Sequence, residues 1–302
     1  MLDVFLVVVL PVFLVAAIAA VFQRFRRLPM TSLSQVTLYL FTPALIFVSL
    51  LDQQLPIGAS LRIVAATILG TTFILIVGAL ASRFLRHDRP MQSAFLLATA
   101  FPNAGNMALP VLLLAFGQEG LNAGVMVFLT QAVLGNSVGI IVAARSQTTG
   151  WEPLKQVFKL PTLYAIVAAA LVRFVGLDLP VAVYAAAKLL AQAAIPVMLV
   201  VLGLQLGGTV KFEDEKSLAA ALVLRLALAG PLAWLAAALV GLQGIGAQAV
   251  VIVASMPVAV FTTILATQFN ARPRFVTNAV LASTFVSVLT LTVIITLTQR
   301  SL

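Results

Sequence analysis

Within residues 92–116, an apolar run long enough to cross a bilayer, Pro102-Asn103-Ala104-Gly105-Asn106 places a proline, a glycine and two amide side chains near the centre. Proline removes a backbone donor and clashes with the preceding turn, and asparagine is costly in hydrocarbon. A break at that depth therefore requires protein or water around it. The chemistry on offer is hydrogen-bond donation. The amides freed at the start of the second half-helix, the helix dipole, and the Asn103 and Asn106 side chains all suit an anionic group such as a carboxylate. Gly105 widens the backbone's choice of conformation and leaves room for a neighbour to approach. The competing reading is a kinked helix whose asparagines satisfy one another across a helix interface.

A second proline-centred run, Ser255-Met256-Pro257-Val258 leading to Thr262, is poorer in side-chain donors. Its expected contribution is backbone polarity from Met256 and Pro257, with Ser255 and Thr262 as candidate contacts. For either hydroxyl, a bond back to the preceding helical turn competes with that role. Thr130, Gln131, Asn136 and Ser137 interrupt another apolar run, and Gln131 is the better candidate for a ligand contact, against interhelical hydrogen bonding. Arg225 lies eight residues into its run, roughly 12 Å from the inner end at about 1.5 Å per residue. Attraction of an anion and snorkelling to the surface both fit it.

The elements that must carry these residues are membrane helices. The 302-residue chain is 62% hydrophobic and 9% charged, with a mean hydropathy of +1.14. Apolar runs of about 20 residues, the length that crosses a hydrocarbon core, recur from end to end. The pattern predicts ten spans, at 2–22, 31–51, 61–85, 92–116, 121–144, 161–176, 181–206, 217–241, 247–269 and 275–298. The net charge of +9 lies in the links between spans, so it reports orientation rather than nucleic-acid binding. With the amino end outside, the inner links hold Arg24, Arg26, Arg27, Arg83, Arg86, Arg89, Arg145, Lys155, Lys159, Lys211, Lys216, Arg272 and Arg274. The outer side holds only Arg62, Arg173, Lys188 and Arg300, which places both termini outside.

The two halves echo each other. Pro43 and Pro196 are 153 residues apart, Pro102 and Pro257 are 155 apart, and Thr130 and Ser283 are 153 apart, each pair in corresponding spans. Five spans per half is an odd number, so halves of the same shape enter the membrane from opposite sides. That is the signature of an inverted-repeat transporter, whose substrate site commonly lies near mid-membrane where interrupted helices meet. The expected organisation is a first repeat at 1–144, an inner linker at 145–160 and a second, inverted repeat at 161–302.

At these residues the chain resembles the auxin efflux carrier family, which includes plant auxin carriers and bacterial malonate transporter-like proteins. The most specific match is Pro102-Asn103-Ala104-Gly105-Asn106-Met107-Ala108-Leu109-Pro110, with Ala108 where glycine is usual. Met256-Pro257, Ala266-Thr267-Gln268-Phe269-Asn270 with Pro273, and Thr42-Pro43-Ala44 also match; Gln268 stands where charged residues are frequent. The resemblance implies ten helices with both termini outside and the fourth and ninth broken and crossed. It implies a scaffold of helices one, two, six and seven, a mobile transport unit from the rest, and a homodimer in a bacterial inner membrane. By similarity Asn103 and Gln131 bind the substrate carboxylate, and Pro102 and Pro257 mark the crossover.

The expected function is a secondary carrier of small organic anions, such as malonate, malate or another carboxylate, auxin-like acids included, working by an elevator-type movement. A sodium-coupled symporter of the bile-acid carrier type and a receptor that binds without transport are the alternatives. No acidic residue falls near the middle of a span, which disfavours a carboxylate-driven proton antiporter. The chain contains no cysteine, and its one histidine, His87, reads as a solvated loop residue, so neither thiolate nor histidine metal sites are expected. No cofactor is expected. An intramembrane enzyme has little support, for the chain contains no HExxH, Walker-type loop or acidic pair within a span.

Overall fold

Proline, glycine and polar links cut the apolar sequence into helices in the computed structural model, which describes residues 1–26, 30–52, 56–145, 161–206 and 214–301. The helices are α1 (Leu2–Arg26), α2 (Ser32–Leu51), α3 (Ile57–Phe84), α4 (Arg89–Ala100), α5 (Ala104–Ala144), α6 (Pro161–Val175), α7 (Val181–Leu206), α8 (Glu215–Leu239), α9 (Gly244–Ala254), α10 (Phe261–Gln268) and α11 (Pro273–Ser301). Among the described residues there is no strand, only one isolated bridge. The link expected at 145–160 lies outside the described residues beyond Arg145, as do Arg27 and Lys211.

Seven of these helices, α1, α2, α3, α5, α7, α8 and α11, are long and apolar enough to cross a membrane. Their outward faces are apolar as well, with Phe84 87% and Phe25 79% exposed, a surface that water would not tolerate and lipid does. The helix α5 is not one rod. Gly117 takes φ 64° and ψ −154° inside it, and a Cβ on Gly124 would stand 2.4 Å from Leu112. Twelve residues of straight helix would separate those positions by about 18 Å, so α5 is a hairpin folded back at Gly117.

Packing is densest within two groups, which meet where α1, α2 and α7 touch α5. In one, α7 lies against α1 and α2, and α2 against α6. In the other, α3 packs on α4 and α8, α9 packs on α5 and α8, and α11 packs on α4, α8, α9 and α10. The start of α4 is anchored by Asp88, whose Oδ1 accepts from the Met91 amide at 2.8 Å and whose Oδ2 pairs with Arg272 at 2.8 Å. The expectation of a solvated His87 is not met. The ring is partly buried edge-on to Phe95, with its two nitrogens 3.0 Å from Ser82 Oγ and 2.9 Å from Ser217 Oγ. Ser217 in turn donates to Asp214 at 3.0 Å, so a polar chain ties the α3–α4 corner to the start of α8. Burial pushes the His87 pKa down, against the opposing pull of Asp214 and Asp88.

Candidate functional site

Two helix breaks face each other at the centre of the second group. After Ala100 the chain leaves helix through an extended Phe101 and makes a tight turn at Asn103, where the Ala104 amide donates to Pro102 O at 2.8 Å, before α5 begins; after Ala254 it leaves α9 and re-enters helix at Phe261. The breaks meet as an antiparallel bridge: the Asn103 amide donates to Pro257 O at 2.8 Å, and the Ala259 amide donates to Phe101 O at 2.9 Å. Each break thereby satisfies backbone groups that the other has freed, as non-helical backbone at membrane depth requires.

The polar groups left over are divided unequally. At the second break the Val258 amide donates to Ser283 Oγ at 3.0 Å, and Ser255, Thr262 and Thr263 bond back to the carbonyls of Val251, Ala259 and Val260. At the first break the amides of Gly105, Asn106 and Met107 open α5 with no side-chain cap. Asn103 is only 5% exposed, and its Nδ2 has no hydrogen-bond partner. An unmet buried donor costs about 1–3 kcal/mol, and at a helix start it is a donor prepared for an anion.

A cavity of about 270 Å³ opens beside it. Its walls come from α2 (Ser34, Thr37, Leu38, Thr42), the start of α5 (Pro102 through Asn106), the return arm of α5 (Phe128, Gln131, Ala132, Asn136), α6 (Thr162), α7 (Met198, Val201, Gln205) and the residues entering α10 (Ala259, Val260, Phe261, Ile264). It therefore lies between the two packing groups. None of its lining side chains is charged. The amides of Asn103, Asn106, Gln131, Asn136 and Gln205 share the lining with Phe128, Phe261, Met198, Val201 and Ile264, which provide an apolar remainder. Ser34, Thr162 and Gln205 stand at the start of α2, the start of α6 and the end of α7, so the cavity reaches the side on which α1 ends.

Of the residues singled out from sequence, Pro102, Asn103, Gly105, Asn106 and Gln131 share this cavity. Gln131 is 8% exposed and its Nε2 donates to Thr71 Oγ1 at 2.9 Å, leaving its Oε1 unpaired. Rotating the amide by half a turn lets the Thr71 hydroxyl donate to Oε1 and turns the NH2 to the cavity, since the two ends of an amide exchange at little cost. Gly105 does not take a left-handed backbone. What it supplies is space, because a Cβ there would stand 3.1 Å from Phe128.

Met256, Pro257 and Thr262 do not line the cavity. Met256 is fully buried, Thr262 spends its hydroxyl on Ala259 O at 2.6 Å, and Pro257 acts through the carbonyl that holds the Asn103 amide. Arg225 is also absent from the lining, and it does not snorkel. It is 1% exposed and its guanidinium donates to Thr99 O at 2.9 Å and to Ala254 O. Asn136 lines the cavity but bonds back to Ala132 O at 2.8 Å. Sequence reading missed Thr71, Ser283 as an acceptor, and Gln205, whose Oε1 is buried and unpaired. A lone amide in the apolar 181–206 run was the available signal for Gln205, since polar residues in a membrane face the interior or a wet cavity.

Interrupted helices whose breaks meet beside a largely apolar, uncharged cavity inside an apolar helical bundle fit an integral membrane protein of the transporter class. The chain belongs to the membrane transport protein family, that of the auxin efflux carriers, whose model matches residues 4–150 and 149–295. It is 26% identical over 266 residues to an uncharacterized transporter of Methanothermobacter thermautotrophicus, an alignment covering 86% of each chain. It is 24% identical over 301 residues to an uncharacterized transporter of Methanocaldococcus jannaschii, covering 95% of each.

Proposed function

We propose that this transporter is a secondary carrier of small organic anions that takes a carboxylate at Asn103, Asn106 and Gln131. The observation that carries the reading is the unpaired Asn103 Nδ2, buried beside the uncapped start of α5 at Gly105 and Asn106 on a cavity without charge. Donors in a site of low dielectric stabilise an anion without the cost of burying a fixed cation. The apolar remainder, with Phe128 and Phe261, suits a carboxylate on a compact apolar body better than one with a second charge at its far end.

The wider architecture follows the same reading. Ten crossings arise if α4 with the first arm of α5, the return arm of α5, and α9 with α10 count as one crossing each. Two inverted five-helix repeats, 1–144 and 161–302, then meet at the crossed breaks. Support comes from the split in packing: α1, α2, α6 and α7 form a scaffold, and the remaining helices move past it as an elevator with the cavity at the sliding boundary. The positive-inside rule puts both termini outside and opens the cavity to the cytoplasm. A homodimer joined through the scaffold, in a bacterial inner membrane, completes the proposal.

The test is counterflow of labelled benzoate and malonate in proteoliposomes. Saturable exchange of benzoate in preference to malonate, lost in Asn103→Ala, is the expected result. Unchanged affinity and rate in that variant remove Asn103 from the site, and binding without counterflow in the wild type replaces carrier by receptor.

A further inference from the structure

Arg225 is the largest fully buried side chain among the described residues, and every described aspartate and glutamate is exposed. Its charge therefore has no carboxylate to meet it. It sits in a π-helical turn, Leu224–Leu228, within α8, the kind of local widening that recurs at functional sites. The two carbonyls that receive its guanidinium belong to Thr99 and Ala254, in the last turns of α4 and α9. Carbonyls there lack donors within their own helix and carry the negative end of its dipole. The two interrupted helices thus bring their negative ends together inside the protein, and one arginine bridges them.

The surroundings leave no room for much else. A Cβ on Gly78 of α3 would come within 2.8 Å of Thr99 Oγ1, and one on Gly230 of α8 within 2.4 Å of Ser255 Oγ, so both helices close tightly over the ends. The hydroxyls of Thr99 and Ser255 bond back into their own helices, to Phe95 O at 2.9 Å and Val251 O at 2.8 Å. Carriers built on interrupted helices commonly hold a coupling cation with half-helix C-terminal ends and unwound carbonyls.

We infer that Arg225 is a resident cation of the crossover: its guanidinium fills the place that a coupling ion takes in a cation-driven carrier, so the anion moves without a sodium requirement. Only the second clause rests on the carrier reading. Arg225 is a positioning residue in this scheme, since it fixes the relative placement of the two breaks and thereby of Asn103, without touching the cavity.

The experiment uses the full-length protein in detergent and in proteoliposomes, with Arg225→Ala and Arg225→Lys beside the wild type. Thermal unfolding is followed in potassium chloride, in sodium chloride at equal ionic strength, and with low-millimolar guanidinium added; binding of labelled sodium is measured in parallel. In potassium, Arg225→Ala is expected to unfold roughly 5–10 °C below the wild type, as for a buried charge network that has lost a partner. Guanidinium or sodium should restore a large part of that shift by binding the vacated site, while the wild type responds to neither and retains no labelled sodium. Arg225→Lys, which keeps the charge, should fall between the two and bind no sodium. It supplies the answer if Arg225→Ala does not fold, because a lysine variant as damaged as an alanine variant overturns the inference. So does an alanine variant that no cation restores, or a wild type that binds sodium. Benzoate counterflow that requires sodium overturns the sodium-independence clause. A wild type that exchanges neither benzoate nor malonate overturns the carrier reading and leaves the cation-binding result to decide the first clause alone.

Discussion

The breaks at Pro102 and Pro257 interlock through a reciprocal pair of backbone hydrogen bonds, yet the first keeps an unpaired buried donor and the second does not. At Pro257 the freed groups have found internal partners: Ser283 takes the Val258 amide, and nearby hydroxyls turn back on their own helix. At Pro102 the Asn103 Nδ2 has none, and no side chain caps the start of α5. Part of the difference lies in the breaks themselves, where Asn103 follows one proline and Val258 the other, and part in the helices behind them. Ser283 of α11 reaches the second break, while Thr130, its counterpart in the return arm of α5, bonds to Met126 O at 2.9 Å. The two breaks are unlike because an asparagine follows one proline and a valine the other, and because Ser283 turns to a neighbouring amide where Thr130 does not.

The comparison can be broken most directly at Asn103. Asn103→Ala should weaken benzoate counterflow by about 10–100-fold in apparent affinity, the equivalent of the roughly 1.5–3 kcal/mol carried by a hydrogen bond to a charged group. Its melting temperature should not fall, since a buried donor without a partner is removed. Ser283→Ala should do the reverse, lowering stability by about 1–3 kcal/mol through a stranded Val258 amide and leaving apparent affinity within about twofold. If Ser283→Ala abolishes affinity while Asn103→Ala spares it, the assignment of binding to the first break is inverted.

The glycines sharpen the contrast. Gly230→Ala places a methyl on Ser255 at the second break and should cost about 1–3 kcal/mol of stability by overpacking, read from the melting temperature. Gly105→Ala meets only the edge of Phe128, at 3.1 Å, and should act mainly on affinity by narrowing the cavity. The smallest effect is expected at the entrance to α4. Asp88→Ala removes an N-cap worth about 1 kcal/mol, while its exposed pair with Arg272 adds little. The Met91 amide, followed by Arg272, holds the Asp88 carboxyl below its usual pKa. Its contribution is therefore present at neutral pH and is lost as the pH falls through the carboxylate range. Melting curves of wild type and Asp88→Ala should converge in acid.

Much of this protein was legible in one dimension because a membrane imposes strong rules on a chain. Apolar run length located the helices, proline and asparagine in mid-run located the first break, and a matching proline located the second. Gln131 was found because a polar side chain in such a run must face inward. The ligand roles considered for Met256 and Thr262 did not survive as cavity contacts, since a hydroxyl in a helix chooses between its own backbone and a neighbour by distances that sequence spacing does not contain. Gln205 was overlooked because it stands near a helix end, where an amide needs no special explanation.

Sequence by itself determined that this is an apolar, helix-built membrane protein with two interrupted segments and no carboxylate near the middle of a span, because composition, run length and proline placement act locally. Only the tertiary structure decided which break keeps free donors, that Thr71 holds Gln131, and that Arg225 bridges two helix ends instead of reaching for the membrane surface. Those outcomes depend on which carbonyl or hydroxyl lies within about 3 Å across a helix interface, and that distance exists only once the helices have packed.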